Sequence, residues 1–149
     1  MTDAPGIGGA LDRRRCLRLL TYGLYAVTAR QGDEHGAFTA NWLTQVSFEP
    51  PLLALSVENA SHSIGLIRHS GIFTVNLLPA GSRAVAGLLG RRSSNLPRKL
   101  SHVEHDLGPN GCAVLAVALG YLECRVRASI AAGDSTVFIA DVTDRKSVV

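Results

Sequence analysis

Residues 38–51 read FTANWLTQVSFEPP, and their alternation sets the fold class. Phe38, Ala40, Trp42, Val46 and Phe48 fall on even positions, Thr39, Asn41, Gln45 and Ser47 on odd ones, with Thr44 and Leu43 as exceptions. Period 2 predicts a single strand with one buried face. Pro50 and Pro51 end it, because proline donates no ladder hydrogen bond and keeps the residue before it extended. A strand facing water ordinarily carries charged side chains, and none falls between Phe38 and Phe48. The polar row holds only hydroxyls and amides, which raises the question of what it faces.

Outward from this stretch the pattern stays β-rich. LYAVTA (residues 24–29) has the β-branched and aromatic content of a strand, and RQGDEHG (30–36) the glycine and aspartate of a hairpin loop, with His35 exposed in it. Leu52 to Val57 is a near-continuous apolar run, expected as a central strand. ENASHSIGLIRHSG (58–71) opens on Asn59, Ser61 and Ser63 and closes on Gly71, the signature of a capped helix. IFTVNLL (72–78) places Phe73, Val75 and Leu77 on one strand face and Thr74 and Asn76 on the other. Ser82 to Leu89 reads as a short helix, residues 91–111 as a polar loop carrying a short strand, and Ala113–Leu119, Tyr121–Ile130 and Thr136–Val142 as strands. At the start, residues 1–10 are Gly-rich and expected to be disordered. Leu11 to Leu20 forms an amphipathic helix whose arginines, Arg13, Arg14, Arg15 and Arg18, make its solvated face. Residues 11–149 are thus one domain, mainly β with a few helices, and an antiparallel barrel is the favoured architecture.

Composition narrows the partners. The chain has 149 residues, 46% hydrophobic and 18% charged, with a net charge of +3, enough for one domain with a real core. Its basic clusters lack the interleaved aromatic residues of a single-strand nucleic-acid platform, which points away from nucleic acid and toward a small anion. Three cysteines, Cys16, Cys112 and Cys124, follow no CxxC spacing. They are read as core fillers in a reducing compartment, and the cytoplasm is the default. No apolar run approaches the roughly 20 residues of a membrane helix, and no signal-peptide architecture opens the chain.

From about Leu17 to Asp144 the ordered motifs YGLYAVTAR, FTANWLTQVSFEPPLLALSVE, SHSIGLIRHSGIFTVNLL, GCAVLAVALGYLECRV and GDSTVFIADVTD resemble the flavin reductase-like family of FMN-binding split barrels. The resemblance implies a Greek-key-like split β-barrel that forms a homodimer, with FMN near the subunit interface and FAD or riboflavin as alternative flavins. It implies reduction of flavin by NAD(P)H, with the reduced flavin passed to a partner oxygenase. It also assigns cofactor contacts. Thr39, Ala40, Asn41, Trp42 and Thr44 lie where the family lays the ring and ribityl chain, and Glu58 and Asn59 where a loop touches the flavin. Ser61, His62 and Ser63 lie at the phosphate, with His62 where an arginine is common. Asn76 lies near the cofactor, and Lys99 at a basic position of the family. Ser135 stands where many members carry histidine, and it cannot hold a positive charge at neutral pH. Family members commonly continue past the position of Val149, so part of the site or dimer is expected there. Uncharged hydrogen-bonding groups suit an amphipathic ring edge, and a helix N-terminus suits a phosphate.

Two rival readings stand beside this one: a non-enzymatic FMN-binding electron-transfer protein, favoured by Ser135, and a cofactor-free binding domain. For the site residues, plain helix capping competes at Ser61 and Ser63, and a solvated surface lysine at Lys99. His102, Glu104, His105 and Asp106 in SHVEHD invite a metal, but alternation along a strand puts His102 and His105 on opposite faces, and no metal is expected. No side chain need act as acid or base, and no catalytic residue is assigned.

Overall fold

The computed structural model describes residues 10–147; the opening expected to be disordered lies outside them except for Ala10. Helix α1 (Ala10–Leu17) is followed by strands β1 (Tyr25–Gln31), β2 (Glu34–Ala40), β3 (Leu43–Ser47) and β4 (Leu52–Glu58). Then come α2 (His62–Ser70), β5 (Ile72–Leu77), α3 (Arg83–Leu89) and a 3-10 turn at Lys99–His102. Strands β6 (His105–Leu107), β7 (Ala113–Leu115), β8 (Gly120–Ala132) and β9 (Ser135–Ser147) complete the chain.

Seven strands pair antiparallel in the order β2-β1-β5-β8-β9-β4-β3. The two end strands, β2 and β3, are consecutive in sequence and separated only by Asn41 and Trp42. A sheet whose ends are joined by two residues must curl until those ends meet, which gives the split barrel read from the sequence. Inside it, Val27, Leu55, Val57, Phe73, Val75 and Phe138 pack with Ile64, Leu66 and Ile67 of α2. A second cluster, Ala26, Ala37, Leu89, Leu100, Ala113 and Leu115, lies where α3, the 3-10 turn and β7 cover the outside of β1 and β2. As expected, Phe73 and Val75 share the inner face of β5, while Thr74 and Asn76 point the other way and are buried too. Their polar atoms have partners, as burial demands. Thr28 Oγ1 donates to the Ala113 carbonyl at 2.6 Å, and Thr74 exchanges hydrogen bonds with the Asn110 amide.

The structure departs from the sequence reading in several places. The strand expected over 38–48 is two strands, and the corner between them reverses the parity. Phe38, Ala40 and Leu43 face the core, whereas Trp42, Val46 and Phe48 are 59%, 51% and 88% exposed. The seven-residue hairpin loop shrinks to the Gly32–Asp33 turn, with Gly32 at φ 58°, and Arg30 pairs with His35 in register. His35 is therefore a half-buried strand residue. Its Nδ1 is buried without a partner, and burial, reinforced by Arg30 and His105, holds its pKa below the ordinary value. Helix α1 ends at Leu17, and Leu17, Leu19, Leu20 and Cys16 are exposed, so Cys16 fills no core. The strand expected at Ala113–Leu119 stops at Leu115, where Ala118 N–H turns back to the Leu115 carbonyl. Strands β8 and β9 instead extend to 13 residues each. His102 belongs to the 3-10 turn rather than to a strand with His105.

Candidate functional site

Strand β4 delivers the chain to the start of α2 through a tight turn in which Ser61 N–H donates to the Glu58 carbonyl at 3.0 Å. Ser61 is the N-cap residue, extended at φ −69° and ψ 135°, yet its hydroxyl makes no capping bond. The first turn of α2 carries no acidic residue. Its unpaired N–H groups and the positive end of its dipole therefore lack the compensation that a cap ordinarily supplies. Ser63, 2% exposed, sits over Gly36 of β2. A Cβ at Gly36 would fall 2.6 Å from Ser63 Oγ and 2.8 Å from Leu66 Cδ1, so glycine is what lets the helix approach the strand. His62 faces Glu34, with Nε2 and Oε1 3.0 Å apart.

The corner lies along the neighbouring barrel edge. The Trp42 carbonyl accepts the Ser56 N–H at 3.0 Å, which ties the corner to β4. Ala40 is buried, Asn41 is half-buried, and Trp42 and Thr44 are exposed. Thr39 turns outward to donate its hydroxyl to the Ala86 carbonyl of α3. Glu58, Asn59 and Ser135 meet at the end of β4, where Glu58 pairs with Ser135. Asn59 Oδ1 accepts from Thr136 Oγ1 at 2.7 Å, Thr136 Oγ1 accepts from Arg68 Nη2 at 2.9 Å, and the Ser135 hydroxyl donates to the Asp134 carboxylate at 3.1 Å. The Asn59–Thr136–Arg68 hydrogen bonds tie the loop to α2.

Two expected residues stand apart. Asn76 is fully buried and its amide is used: Nδ2 donates to the carbonyls of Ala26 (3.2 Å) and Ala113 (3.3 Å), and Oδ1 accepts the Leu115 N–H (2.8 Å). It fastens β7 to the barrel wall, with no atom left to offer a ligand. Lys99 is no solvated lysine. It is 8% exposed, and Nζ donates to the carbonyls of Ala37 (3.2 Å) and Leu89 (2.9 Å), with burial pushing its pKa below the ordinary value. Leu89 ends α3, so the ammonium neutralises the negative end of that helix.

The sequence reading missed Glu34, Arg68 and Thr136. Each meets its partner across the fold, and spacing along the chain carries no signal for such pairs. A cavity of about 650 Å³ lies elsewhere, at the C-terminal end of α2, lined by Arg30, His69 and Asn110 among others.

The fold is thus a split barrel with an uncharged corner at one edge and a helix start whose N-cap hydroxyl makes no capping bond. Its sequence profile completes the assignment: the flavin reductase like domain matches residues 17–148, and the chain belongs to that family. Among its relatives is the high molecular weight rubredoxin of Moorella thermoacetica, 30% identical over 132 residues, 87% of this chain. The chain spans only 58% of that relative's length. The solved NADH:FAD oxidoreductase of Streptomyces globisporus C-1027, in complex with NAD and FAD fragments, superposes with a TM-score of 0.85 at 25% identity, covering 98% of this chain and 87% of that one. Nitrilotriacetate monooxygenase component B from Mycobacterium thermoresistibile gives 0.84 at 25% identity, covering 93% and 78%. Among the described residues no helix is long and apolar enough to cross a membrane.

Proposed function

We propose that this chain is an NAD(P)H-dependent flavin reductase that binds FMN, or FAD or riboflavin in its place, along the face running from the Asn41–Trp42 corner to the start of α2. The observation that carries the reading is the pairing of an uncharged corner with a helix N-terminus whose Ser61 hydroxyl is not used in capping. The residues fit the group. The Asn41 amide can both donate to and accept from a ring edge. Ala40 adds no bulk beside the backbone, and Trp42 offers an exposed flat surface. Ser61, Ser63, His62 and the α2 N–H groups form a cradle for phosphate. When bound, the flavin supplies a two-electron acceptor for a nicotinamide hydride. The chain's own task is to orient the two rings and exclude water, with no side chain required as acid or base.

A second copy of the chain completes the site in this reading. Trp42, Val46, Phe48 and Ile130 leave apolar surface in water on one chain, and a homodimer would cover it. The reduced flavin would serve an oxygenase partner. Cys16, Cys112 and Cys124 are all free thiols, which favours the reducing cytoplasm. One observation favours electron transfer between protein partners instead: Ser135 is buried and hydrogen-bonded to Asp134, and it offers no positive charge of its own to a nicotinamide. Anaerobic addition of NADH or NADPH to the FMN-loaded protein decides between them. Bleaching of the flavin spectrum with turnover of excess flavin supports the reductase, and tight FMN binding without bleaching supports the carrier.

A further inference from the structure

The carboxylate of Glu34 faces the side chain of His62, the first residue of α2. The helix supplies no acid in its own first turn, and Glu34 reaches it from β2, with Oε1 3.0 Å from His62 Nε2. Its position is fixed by the hairpin. Glu34 pairs with Gln31 across the Gly32–Asp33 turn, and two residues further on Gly36 admits Ser63 of the same helix end. A one-residue slip in this register would turn Glu34 to the other face and drive Gly36 out of the contact.

We propose that Glu34 is a specificity-determining residue of the flavin site. It holds His62 and opposes a phosphate there, so that FMN binds little better than riboflavin and the flavin exchanges freely. The inference rests on the flavin reading above. Ring and ribityl contacts at the corner carry most of the affinity, while a phosphate drawn to the uncapped helix start also meets the negative charge of Glu34 beside His62. An arginine at this place would carry a permanent positive charge and outweigh Glu34, whereas this chain has His62 there.

The test is titration of wild type and E34Q with FMN and with riboflavin at low and high ionic strength. In wild type, FMN should bind within about tenfold of riboflavin. Removing one unit charge that faces a phosphate dianion across a water-like medium, E34Q should tighten FMN several-fold at low salt. Riboflavin affinity should stay unchanged, and the gain should shrink as salt screens the charge. An E34Q preference for FMN equal to or below that of wild type overturns the proposal. So does a wild type that already prefers FMN by more than about a hundredfold, a measurement that needs no variant. A wild type that binds neither flavin instead overturns the flavin reading itself, a separate and recognisable result.

Discussion

Replacing Asn76 with alanine separates a structural role from a cofactor contact. The substitution deletes three hydrogen bonds at a fully buried position: two donated to the carbonyls of Ala26 and Ala113, and one accepted from the Leu115 N–H. The Ala113 carbonyl keeps the Thr28 hydroxyl at 2.6 Å, so its loss is the smallest. The Leu115 N–H loses its Asn76 partner in a dry interior, which costs about 1–3 kcal/mol, and each lost bond is worth about 1 kcal/mol more. The sum is about 3–5 kcal/mol, a large share of the roughly 5–15 kcal/mol that holds a domain of this size together. Urea unfolding reads it directly: at a slope of about 2 kcal/mol per molar the midpoint should fall by about 1.5–2.5 M. FMN affinity of the folded fraction should change by less than about twofold, since additivity holds for sites without shared partners. A stable Asn76→Ala protein with markedly weakened FMN binding would refute the reasoning and return Asn76 to the cofactor site.

Gly36→Ala should destabilise by about 1–3 kcal/mol, because its Cβ would fall 2.6 Å from Ser63 Oγ and 2.8 Å from Leu66 Cδ1; an unchanged urea midpoint would mean that α2 does not seat on β2 at that point. Gly65→Ala goes the other way: a Cβ there meets nothing within 4 Å, and an exposed mid-helix alanine should raise the thermal midpoint, by about 0.5–1 kcal/mol of stability. At alkaline pH the buried thiols control stability. Burial pushes Cys112 from 9.0 up to about 11 and Cys124 up to about 12. The folded chain thus keeps protons that the unfolded chain loses, and the stability present below pH 9.0 falls as pH rises toward about 11. Lys99, with its pKa lowered by burial, works in the opposite sense as its charge is removed. Urea midpoints under reducing conditions should decline from pH 9 to 10.5, and more shallowly in Cys112→Ala; an identical slope in the variant would exclude Cys112 as a source.

The succession of elements along the chain was legible because its punctuation is local. Pro50 and Pro51 stop one strand, Gly71 in the left-handed region at φ 71° closes α2, and alternation in IFTVNL assigns both faces of β5 correctly. The corner was not legible, because the apolar positions Phe38, Ala40 and Trp42 continue an even spacing straight across it. Only the sheet topology, with β2 and β3 at opposite ends, forces the break and turns Trp42 outward. Long-range polar pairing escaped for a related reason. Lys99 meets Ala37 and Leu89, Glu34 meets His62, and Arg68 meets Thr136, contacts between segments up to 68 residues apart. The uncharged stretch is divided between a buried edge at Ala40 and an open surface at Trp42 and Thr44, a split that alternation alone does not show.

Trp42 is the sole tryptophan of the chain and stands on the face assigned to the flavin, so at a fixed protein concentration its emission reports on flavin reaching that face. Titration with FMN, followed by tryptophan fluorescence and by the flavin visible spectrum together, is the most direct test of the account. It predicts saturable quenching of Trp42 that tracks the spectral change with the same affinity, and a weaker affinity in Asn41→Ala. Flavin that binds without altering Trp42 emission, or an Asn41→Ala protein that binds as tightly as wild type, would contradict the placement of the site.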